Sequence, residues 1–330
     1  MPRGPGKDGR EGMALLTVLL LVAVMSVVAV AVLDDVRFSV RRATNVATQT
    51  QAQWYASGAE VLGRRQVGRL MAASPARTPL DPEWNGRQLT FPVEGGTISA
   101  VVSDGQACFN LNSLVEGYGE DLIARPLGAA QFIALGRAVG APHSRMRAVA
   151  DALTDWLDAD STALPLGAED GSYAGLATPY RTGGVMLAEV SELRAVKGVD
   201  ADLYRRLRPW VCALPTSRLS PLNVNTLTPE QAPLLTMMTG NALEVPAARR
   251  VIAGRPDAGW PDVAAFWAQP ALAGLELPAE VQAQPTVLTR YFKLRIDVDY
   301  AGGRAVRTAL LDALPDGSVR TVIQRWTPEE

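Results

Sequence analysis

One uninterrupted apolar run near the amino terminus constrains the fold of this chain more than any other feature. The run from Met13 to Leu33 carries no charged residue, and Thr17 and Ser26 are its only hydroxyl-bearing positions. As an α-helix it is about 31 Å long, which matches the hydrocarbon core of a bilayer. The sequence therefore predicts one membrane-spanning helix.

A short polar leader precedes this run and indicates its orientation. Met1 to Gly12 includes the basic residues Arg3, Lys7 and Arg10. Basic residues beside a span favour the cytoplasmic side of the membrane. We therefore expect a single-pass inner-membrane protein with a cytoplasmic amino terminus and a periplasmic carboxy-terminal part.

A cleaved signal peptide is the alternative interpretation of the run. Ala29-Val30-Ala31 has the small residues of a signal-peptide cleavage site. However, no Pro or Gly occurs between Met13 and Ser57, so the helical pattern continues well beyond the length of a bilayer. This continuity favours a helix that is retained in the mature protein.

Charge and composition exclude several functional classes. The chain has 32 Lys and Arg residues against 34 Asp and Glu, so its net charge gives no general attraction for nucleic acid. It has one His, His143, in a loop-like sequence, and no nucleophile motif surrounds it. With only two Cys residues beside this His, a zinc site is not expected. We predict that the chain is not an enzyme.

The two cysteines, Cys108 and Cys212, leave two alternatives open. In an oxidising compartment a disulfide between them would close a loop of about a hundred residues, worth roughly 4 to 5 kcal/mol in the chain-entropy model. The alternative is two separate buried thiols.

The remaining pattern combines strands at both ends with helices between them. Gln88 to Val93 and Thr97 to Ser103 alternate apolar and polar residues around a Gly-Gly turn, which predicts a hairpin. Residues 111–277 read mainly as helices with Pro- and Gly-bearing loops. Late strands are predicted over Tyr291 to Tyr300, Ala305 to Leu314 and Ser318 to Trp326. The fold class is therefore α+β, with a helical insertion.

The junction of leader and apolar run resembles a type IV prepilin-like leader. Gly12 followed by Met13-Ala14-Leu15-Leu16 implies that a membrane peptidase cuts after Gly12 and methylates the new amine of Met13. Most pilins have Glu at the fifth mature position, where this chain has Thr17. The K pseudopilins of type II secretion systems similarly lack that Glu.

Further motifs along the chain resemble the same K family, in the same order. They are Gln53-Trp54-Tyr55-Ala56, Asp104 to Asn112, Asp155 to Asp160 with Gly167 to Asp170, and Asn223 to Thr226. The resemblance implies a type IV pilin-like fold, in which a long transmembrane helix packs on an antiparallel sheet, with a large inserted helical domain. It divides the chain into a leader (1–12), a transmembrane helix (13–33), its periplasmic continuation (34–72), a pilin-like α/β domain (73–110 and 286–330) and an inserted α-domain (111–285) with subdomains 111–215 and 216–285.

The resemblance also implies a function by assembly. A K pseudopilin is expected to cap or initiate the tip of the pseudopilus, which exports folded proteins across the outer membrane. The implied partners are the minor pseudopilins I, J and H, the prepilin peptidase, the inner-membrane assembly platform, and the secretin or exoprotein cargo.

Calcium is the cofactor that the resemblance implies, and the acidic loop is its expected place. Carboxylates on a flexible loop are ligands that calcium takes, although most such loops are only solvated. The expected side-chain ligands are Asp158, Asp160, Glu169 and Asp170.

Nucleic-acid binding is the alternative function. Asn223 to Ala232 resembles the opening of a helix-hairpin-helix unit, so the chain could be a signal-anchored periplasmic DNA-binding protein. The competing interpretation is structural, with Thr228 capping a helix that has Pro229 at its first position. Thr236 to Gly240 supplies only one Gly for a phosphate-binding loop, which weighs against DNA.

Overall fold

One long helix dominates the computed structural model, which describes residues 8–80, 83–119 and 121–327. Helix α1 runs from Asp8 to Ala73 without a break. No Pro occurs between Met13 and Ala73, so no residue removes a backbone hydrogen bond from it. The helix ends just before Pro75, since the residue preceding a proline disfavours helical geometry. Residues 1–7 of the predicted leader lie outside the described part.

A five-stranded antiparallel sheet packs against the carboxy-terminal half of α1. Its spatial order is β1-β2-β7-β8-β9. The strands are β1 (Gln88–Val93), β2 (Gly96–Asp104), β7 (Tyr291–Tyr300), β8 (Gly303–Ala313) and β9 (Val319–Arg325). Because successive strand side chains alternate between faces, β7 and β8 present apolar rows to the helix, whereas β1 is a largely exposed edge strand.

Helix and sheet share one core. Ala52, Ala56, Val67 and Leu70 recur at helical spacing on the buried face of α1 and meet the apolar row of β7. Gly63 lies in the same row, and a Cβ there would come within 2.7 Å of the Leu294 side chain. The small residues therefore let α1 approach the sheet closely.

One ion pair is buried in this interface. Glu60, on the buried face of α1, pairs with Arg307 of β8 and accepts a hydrogen bond of 2.6 Å from the Thr321 hydroxyl. The Arg307 guanidinium also donates to the Gln324 side chain at 2.5 Å and lies 4.4 Å from the ring centroid of Trp326. A buried carboxylate and a buried guanidinium thus satisfy each other.

The inserted region leaves and re-enters between two neighbouring strands. Strands β2 and β7 pair directly, from Gly96 opposite Tyr300 to Asp104 opposite Phe292. Most of the described residues between these strands form a second body with its own, larger core. Its helices are α2 (Pro126–Ala138), α3 (His143–Leu157), α4 (Asp170–Tyr173), α5 (Ala201–Leu207), α6 (Ala232–Met238), α7 (Val245–Ala253), α8 (Val263–Trp267) and α9 (Ala279–Gln282).

Two small sheets in the inserted region differ from the mainly helical prediction. Strands β4 (Val115–Tyr118) and β5 (Asp121–Ala124) form a hairpin, and β3 (Phe109–Asn110) pairs in parallel with β6 (Val211–Cys212). Such short strands carry too few residues for an alternating pattern to be visible in the sequence. Likewise, His143 begins α3 rather than lying in a loop.

A disulfide joins Cys108 to Cys212, with their Cα atoms 5.8 Å apart. The bridge lies beside the β3–β6 pair, so it fastens the start of the inserted region to the end of its first half. Of the two alternatives that the sequence leaves open, the structure therefore has the bridge.

Each half of the inserted region opens with the same motif of two asparagines and a hydroxyl residue. The two motifs are Asn110-Leu111-Asn112-Ser113 and Asn223-Val224-Asn225-Thr226. The Asn112 side chain accepts from the Leu187 N–H at 2.7 Å and donates to the Leu187 carbonyl at 2.9 Å. The Asn225 side chain makes the same pair of bonds with the backbone of Trp260, at 2.8 and 2.9 Å. Buried side-chain amides thus satisfy backbone N–H and carbonyl groups that a neighbouring strand would satisfy in a sheet.

Candidate functional site

The acidic loop is organised by carboxylates at the end of α3. Asp155 accepts from the backbone N–H groups of Leu164 at 3.1 Å and Ala168 at 2.6 Å. Gly167 is required beside it, because a Cβ there would lie 1.9 Å from the Asp155 carboxylate. The loop is therefore folded back on the helix rather than extended into solvent.

This folding brings three carboxylates together. One oxygen from each of Asp158, Asp160 and Glu169 lies within 4.8 Å of the others. Asp158 is buried, with only 4% of its surface exposed. One buried oxygen of Asp158 and one of Glu169 accept no hydrogen bond from the described residues. Oxygens that are clustered, desolvated and unpartnered are costly without a cation.

The electrostatics of the cluster lead to the same conclusion. Burial, followed by repulsion from Asp160, Asp155 and Glu169, raises the pKa of Asp158 to about 7. Burial and the neighbouring carboxylates also raise the pKa of Glu169. A divalent ion bound between these carboxylates would offset the repulsion that raises the pKa of Asp158.

Asp170, the fourth predicted ligand, lies outside this cluster. Its carboxylate accepts from the Thr182 N–H at 2.9 Å and the Thr182 hydroxyl at 3.0 Å, and Arg181 lies 3.8 Å away. The hydrogen bonds from Thr182 lower the pKa of Asp170. The resemblance to the K family implied Asp170 as a ligand. In the structure α4 begins at Asp170, and the Asp170 carboxylate holds the loop after that helix.

The segments on which the nucleic-acid alternative rests have structural roles within the described residues. Thr228 and Gln231 form a capping box around Pro229, as the structural interpretation predicted. In the basic stretch of α5, Arg205 pairs with Asp202 at 3.1 Å, and Arg206 donates to the carbonyl of Val139 at 3.3 Å. These arginines hold the local fold and do not converge on one site.

The apolar helix is the second functional feature. Among the described residues, α1 alone is long and apolar enough to cross a membrane, and its most apolar window buries nothing inside the protein. Thr17 donates to the Ala14 carbonyl at 2.8 Å, so its hydroxyl is satisfied inside the helix. Met13 and Gly12 both lie within α1, which begins before the predicted cleavage point. Those apolar side chains must be covered by lipid or by other helices.

Comparison with protein-family models shows where the inserted region has relatives. The model described as "Type II secretion system (T2SS), protein K" matches twice, first over residues 107–216 and then over residues 222–289. Together these matches cover the inserted region, and the gap between them separates the two asparagine motifs.

Known proteins are similar over nearly the whole chain. Type II secretion system protein K of Klebsiella pneumoniae is 40% identical over 97% of this chain and 99% of its own length. The protein of the same name from Pectobacterium carotovorum subsp. carotovorum is 39% identical over 77% of this chain and 78% of its own.

A solved structure is similar in fold. A chain from the crystal structure of the GspK-GspI-GspJ complex of the enterotoxigenic Escherichia coli type 2 secretion system superposes with a TM-score of 0.74 and 31% identity. The likeness covers 84% of this chain and 96% of that one.

Proposed function

This chain belongs to the type II secretion system protein K family, and from that premise we propose that it caps or initiates the pseudopilus tip for export of folded proteins across the outer membrane. It is a minor pseudopilin of the type II secretion system with an α+β, pilin-like fold. The observation that carries the proposal is one continuous helix, apolar from Met13 to Leu33, that ends in a pilin-like unit bearing a large inserted body. The helix can bundle with equivalent helices, whereas the inserted body leaves no simple way to stack another subunit beyond it.

Assembly through α1 exchanges lipid contacts for helix contacts. The side chains from Met13 to Leu33 are exposed, so every face of this segment is open to a neighbouring helix. The similar chain of known structure was crystallised with GspI and GspJ. The partners proposed here are therefore the minor pseudopilins I and J, followed by H, the inner-membrane platform, and the secretin or cargo at the distal end.

Processing and topology complete the proposal. One long apolar helix fits a single-pass inner-membrane anchor. The amino terminus lies in the cytoplasm, where prepilin peptidase cuts after Gly12 and methylates Met13. The chain works as a structural component and carries no catalytic role.

Calcium is proposed as the occupant of the acidic cluster. Asp158, Asp160 and Glu169 would hold it, and the two unpartnered oxygens of Asp158 and Glu169 support this assignment. A calcium ion supplies charge neutralisation and ties together oxygens from separate segments. Asp155 positions the loop, and its hydrogen bonds to Leu164 and Ala168 keep the cluster closed.

The leader tests the assembly proposal. A Gly12→Val variant should keep its leader, because the new Cβ and methyl groups occupy the position at which the peptidase cuts. Mass spectrometry of the purified protein should find Met1 at its amino terminus, and a strain with this variant as its sole copy should lose secretion. Gly9→Val is the matched control and should start at N-methyl-Met13. A mature protein that begins elsewhere, or full secretion by uncleaved chain, would contradict the proposal.

Calcium titration tests the metal proposal. Calcium should raise the melting temperature of the purified chain, and Asp158→Asn should abolish this increase. Without calcium the variant should melt no lower than the parent, because Asp158→Asn removes carboxylate repulsion. Asp170→Asn is the control and should keep most of the calcium response. An equal response in the parent and Asp158→Asn would refute the assignment of the site.

A further inference from the structure

A buried polar junction joins the pilin-like unit to the second half of the inserted region. Asp104 is the last residue of β2, and Thr289 lies two residues before the start of β7. Asn223 and Thr226 belong to the motif that opens the second half. All four side chains are buried, and at this point the two bodies are joined by polar side chains rather than by apolar packing.

The four side chains form a closed ring of hydrogen bonds. The Asn223 amide donates to the Thr289 hydroxyl at 2.7 Å, and this hydroxyl donates to Oδ2 of Asp104 at 3.1 Å. The Thr226 hydroxyl completes the ring, because it contacts both Oδ2 of Asp104 and the backbone carbonyl of Asn223, the latter at 2.9 Å. A hydroxyl carries one hydrogen. Thr226 therefore donates either to Asp104 or to Asn223.

The protonation state of Asp104 decides which acceptor Thr226 uses. When the carboxyl is ionised, Oδ2 accepts from both hydroxyls, and the Asn223 carbonyl receives no bond from the Thr226 hydroxyl. When Oδ2 binds a proton from solvent, Asp104 donates to the Thr226 oxygen, and the Thr226 hydrogen turns to the Asn223 carbonyl. The protonated ring thus has one hydrogen bond more than the ionised ring and contains no desolvated charge.

The surroundings of Asp104 support this description. Burial raises the pKa of its carboxyl to about 6, although the hydrogen bonds from Thr226, Gln106 and Thr289 lower it. Lys293 of β7 is the charged group that acts on the carboxylate, and its effect is smaller than that of the hydrogen bonds. The groups that bond to the carboxylate are uncharged, so Asp104 is the residue whose charge changes at this junction near pH 6.

We propose that Asp104 and Thr226 form a proton switch that sets how firmly the second half of the inserted region is held on the pilin-like unit. With the proton bound, the ring is complete and the junction stays closed. With the proton released, the desolvated carboxylate gains more from water than from its hydroxyl partners, so the junction opens more often. The switch lies within the fold of this chain, and its ligand is the proton.

Gln106 makes the opening of the junction measurable. Its side-chain oxygen accepts from the N–H groups of Arg290 at 2.9 Å and Tyr291 at 3.2 Å, and its side-chain nitrogen donates to the Pro221 carbonyl at 2.6 Å. Because Pro221 lies beside the second asparagine motif and Tyr291 begins β7, these bonds hold the same two bodies together. Opening of the junction therefore exposes the Arg290 and Tyr291 amides to hydrogen exchange.

Hydrogen exchange of the full-length chain at about pH 5 and about pH 7.5 tests the switch. After correction for the intrinsic exchange rate at each pH, the Arg290 and Tyr291 amides should be several-fold better protected at the lower pH, with a midpoint near pH 6. Asp104→Asn cannot ionise, so its protection should be the same at both pH values.

Variants of Thr226 separate the switch from a purely structural role. Thr226→Val cannot accept the Asp104 proton, so its protection at the lower pH should fall to about the level of the parent at the higher pH. Thr226→Ser keeps the hydroxyl and should keep the pH difference. Asp257→Asn, which removes one negative charge from an exposed position, is the matched control and should behave as the parent does. The proposal fails if the parent is equally protected at both pH values, or if Asp104→Asn or Thr226→Val retains the pH difference of the parent.

Discussion

The pilin-like unit and the inserted region satisfy their backbone groups in different ways. In the sheet, the central strand β7 pairs with β2 and β8 over its whole length, so few side chains are needed for this purpose. In the inserted region, short helices and irregular connections leave backbone groups that Asn112 and Asn225 satisfy. Regular structure is thus stabilised mainly by packing, whereas irregular structure depends on individual polar side chains.

The two regions also differ in their covalent connection. The inserted region contains the Cys108–Cys212 bridge, whereas the pilin-like unit has the buried Glu60–Arg307 pair and no cysteine. If the comparison holds, removing the disulfide should first lower the stability of the inserted region. Removing the Glu60–Arg307 ion pair should first lower the stability of the pilin-like unit. Amide hydrogen exchange, followed peptide by peptide, separates the two regions in one experiment.

Loss of the disulfide should have the largest effect. Replacing Cys108 and Cys212 by Ala opens a loop with a sequence separation of 104 residues. In the chain-entropy model this costs about 4 to 5 kcal/mol of unfolding free energy. Urea unfolding measures the loss, and the parent treated with dithiothreitol should reproduce it. Peptides of α2 and α3 should lose protection from hydrogen exchange before those of β8. Equal losses of protection in the two regions would contradict the comparison.

Breaking the buried ion pair should act on the other region. In Glu60→Ala the Arg307 guanidinium keeps its burial but loses its carboxylate, which costs about 3 to 4 kcal/mol. Glu60→Gln keeps a hydrogen-bond acceptor and should cost less. Exchange should accelerate first in α1 and β8. Faster exchange confined to the inserted region would contradict this prediction.

Replacing one of the motif asparagines should lower the free energy of unfolding slightly less than Glu60→Ala does. Asn112→Ala leaves the buried N–H and carbonyl of Leu187 without partners, and Asn225→Ala does the same at Trp260, each at about 2 to 3 kcal/mol. Asn45→Ala, on the exposed face of α1, is the control and should change stability by about 0.5 kcal/mol or less. A large difference between Asn112→Ala and Asn225→Ala would show that the two motifs are not equivalent.

Asp104 should show the smallest effect, as a pH dependence at the junction of the regions. Its buried carboxylate accepts from the hydroxyls of Thr226 and Thr289 and from the Gln106 N–H, and Lys293 is its charged neighbour. Desolvation nevertheless raises its pKa from 3.8 to about 6.

The sign of this dependence follows from where the proton is held. Between pH 4 and pH 6 the folded chain keeps the Asp104 proton that the unfolded chain has lost, so stability falls as pH rises, by about 2 kcal/mol from this group. Asp104→Asn removes that slope, and denaturant unfolding of parent and variant at both pH values measures the difference. Identical slopes in the two proteins would refute the assignment.

The pilin-like unit was largely predictable from the sequence because its signals are periodic. The strands Gln88–Val93 and Tyr291–Tyr300 have the predicted bounds. Strand β8 begins at Gly303, two residues before the predicted Ala305, because Ala301 and Gly302 alone supply the turn with positive φ. Where apolar residues recur at a fixed spacing, a single sequence is enough to predict the strand.

The inserted region was predicted less completely, because its contacts join residues distant in sequence. The similarity of Asn110-Leu111-Asn112-Ser113 to Asn223-Val224-Asn225-Thr226 was visible in the sequence and would have indicated that the two halves begin alike. In contrast, the organising role of Asp155 depends on the fold of residues 158–169. Local sequence patterns do not show which distant segments come into contact.

The unbroken course of α1 has a mechanical consequence. From Met13 to Ala73 the helix spans 61 residues with no proline, and its last turns are fixed to the sheet by the Glu60–Arg307 pair. A continuous helix of about 90 Å has no flexible joint. The pilin-like unit therefore cannot rotate while the membrane segment stays fixed. Rotation of the membrane segment of α1 must therefore rotate the pilin-like unit and its inserted region with it.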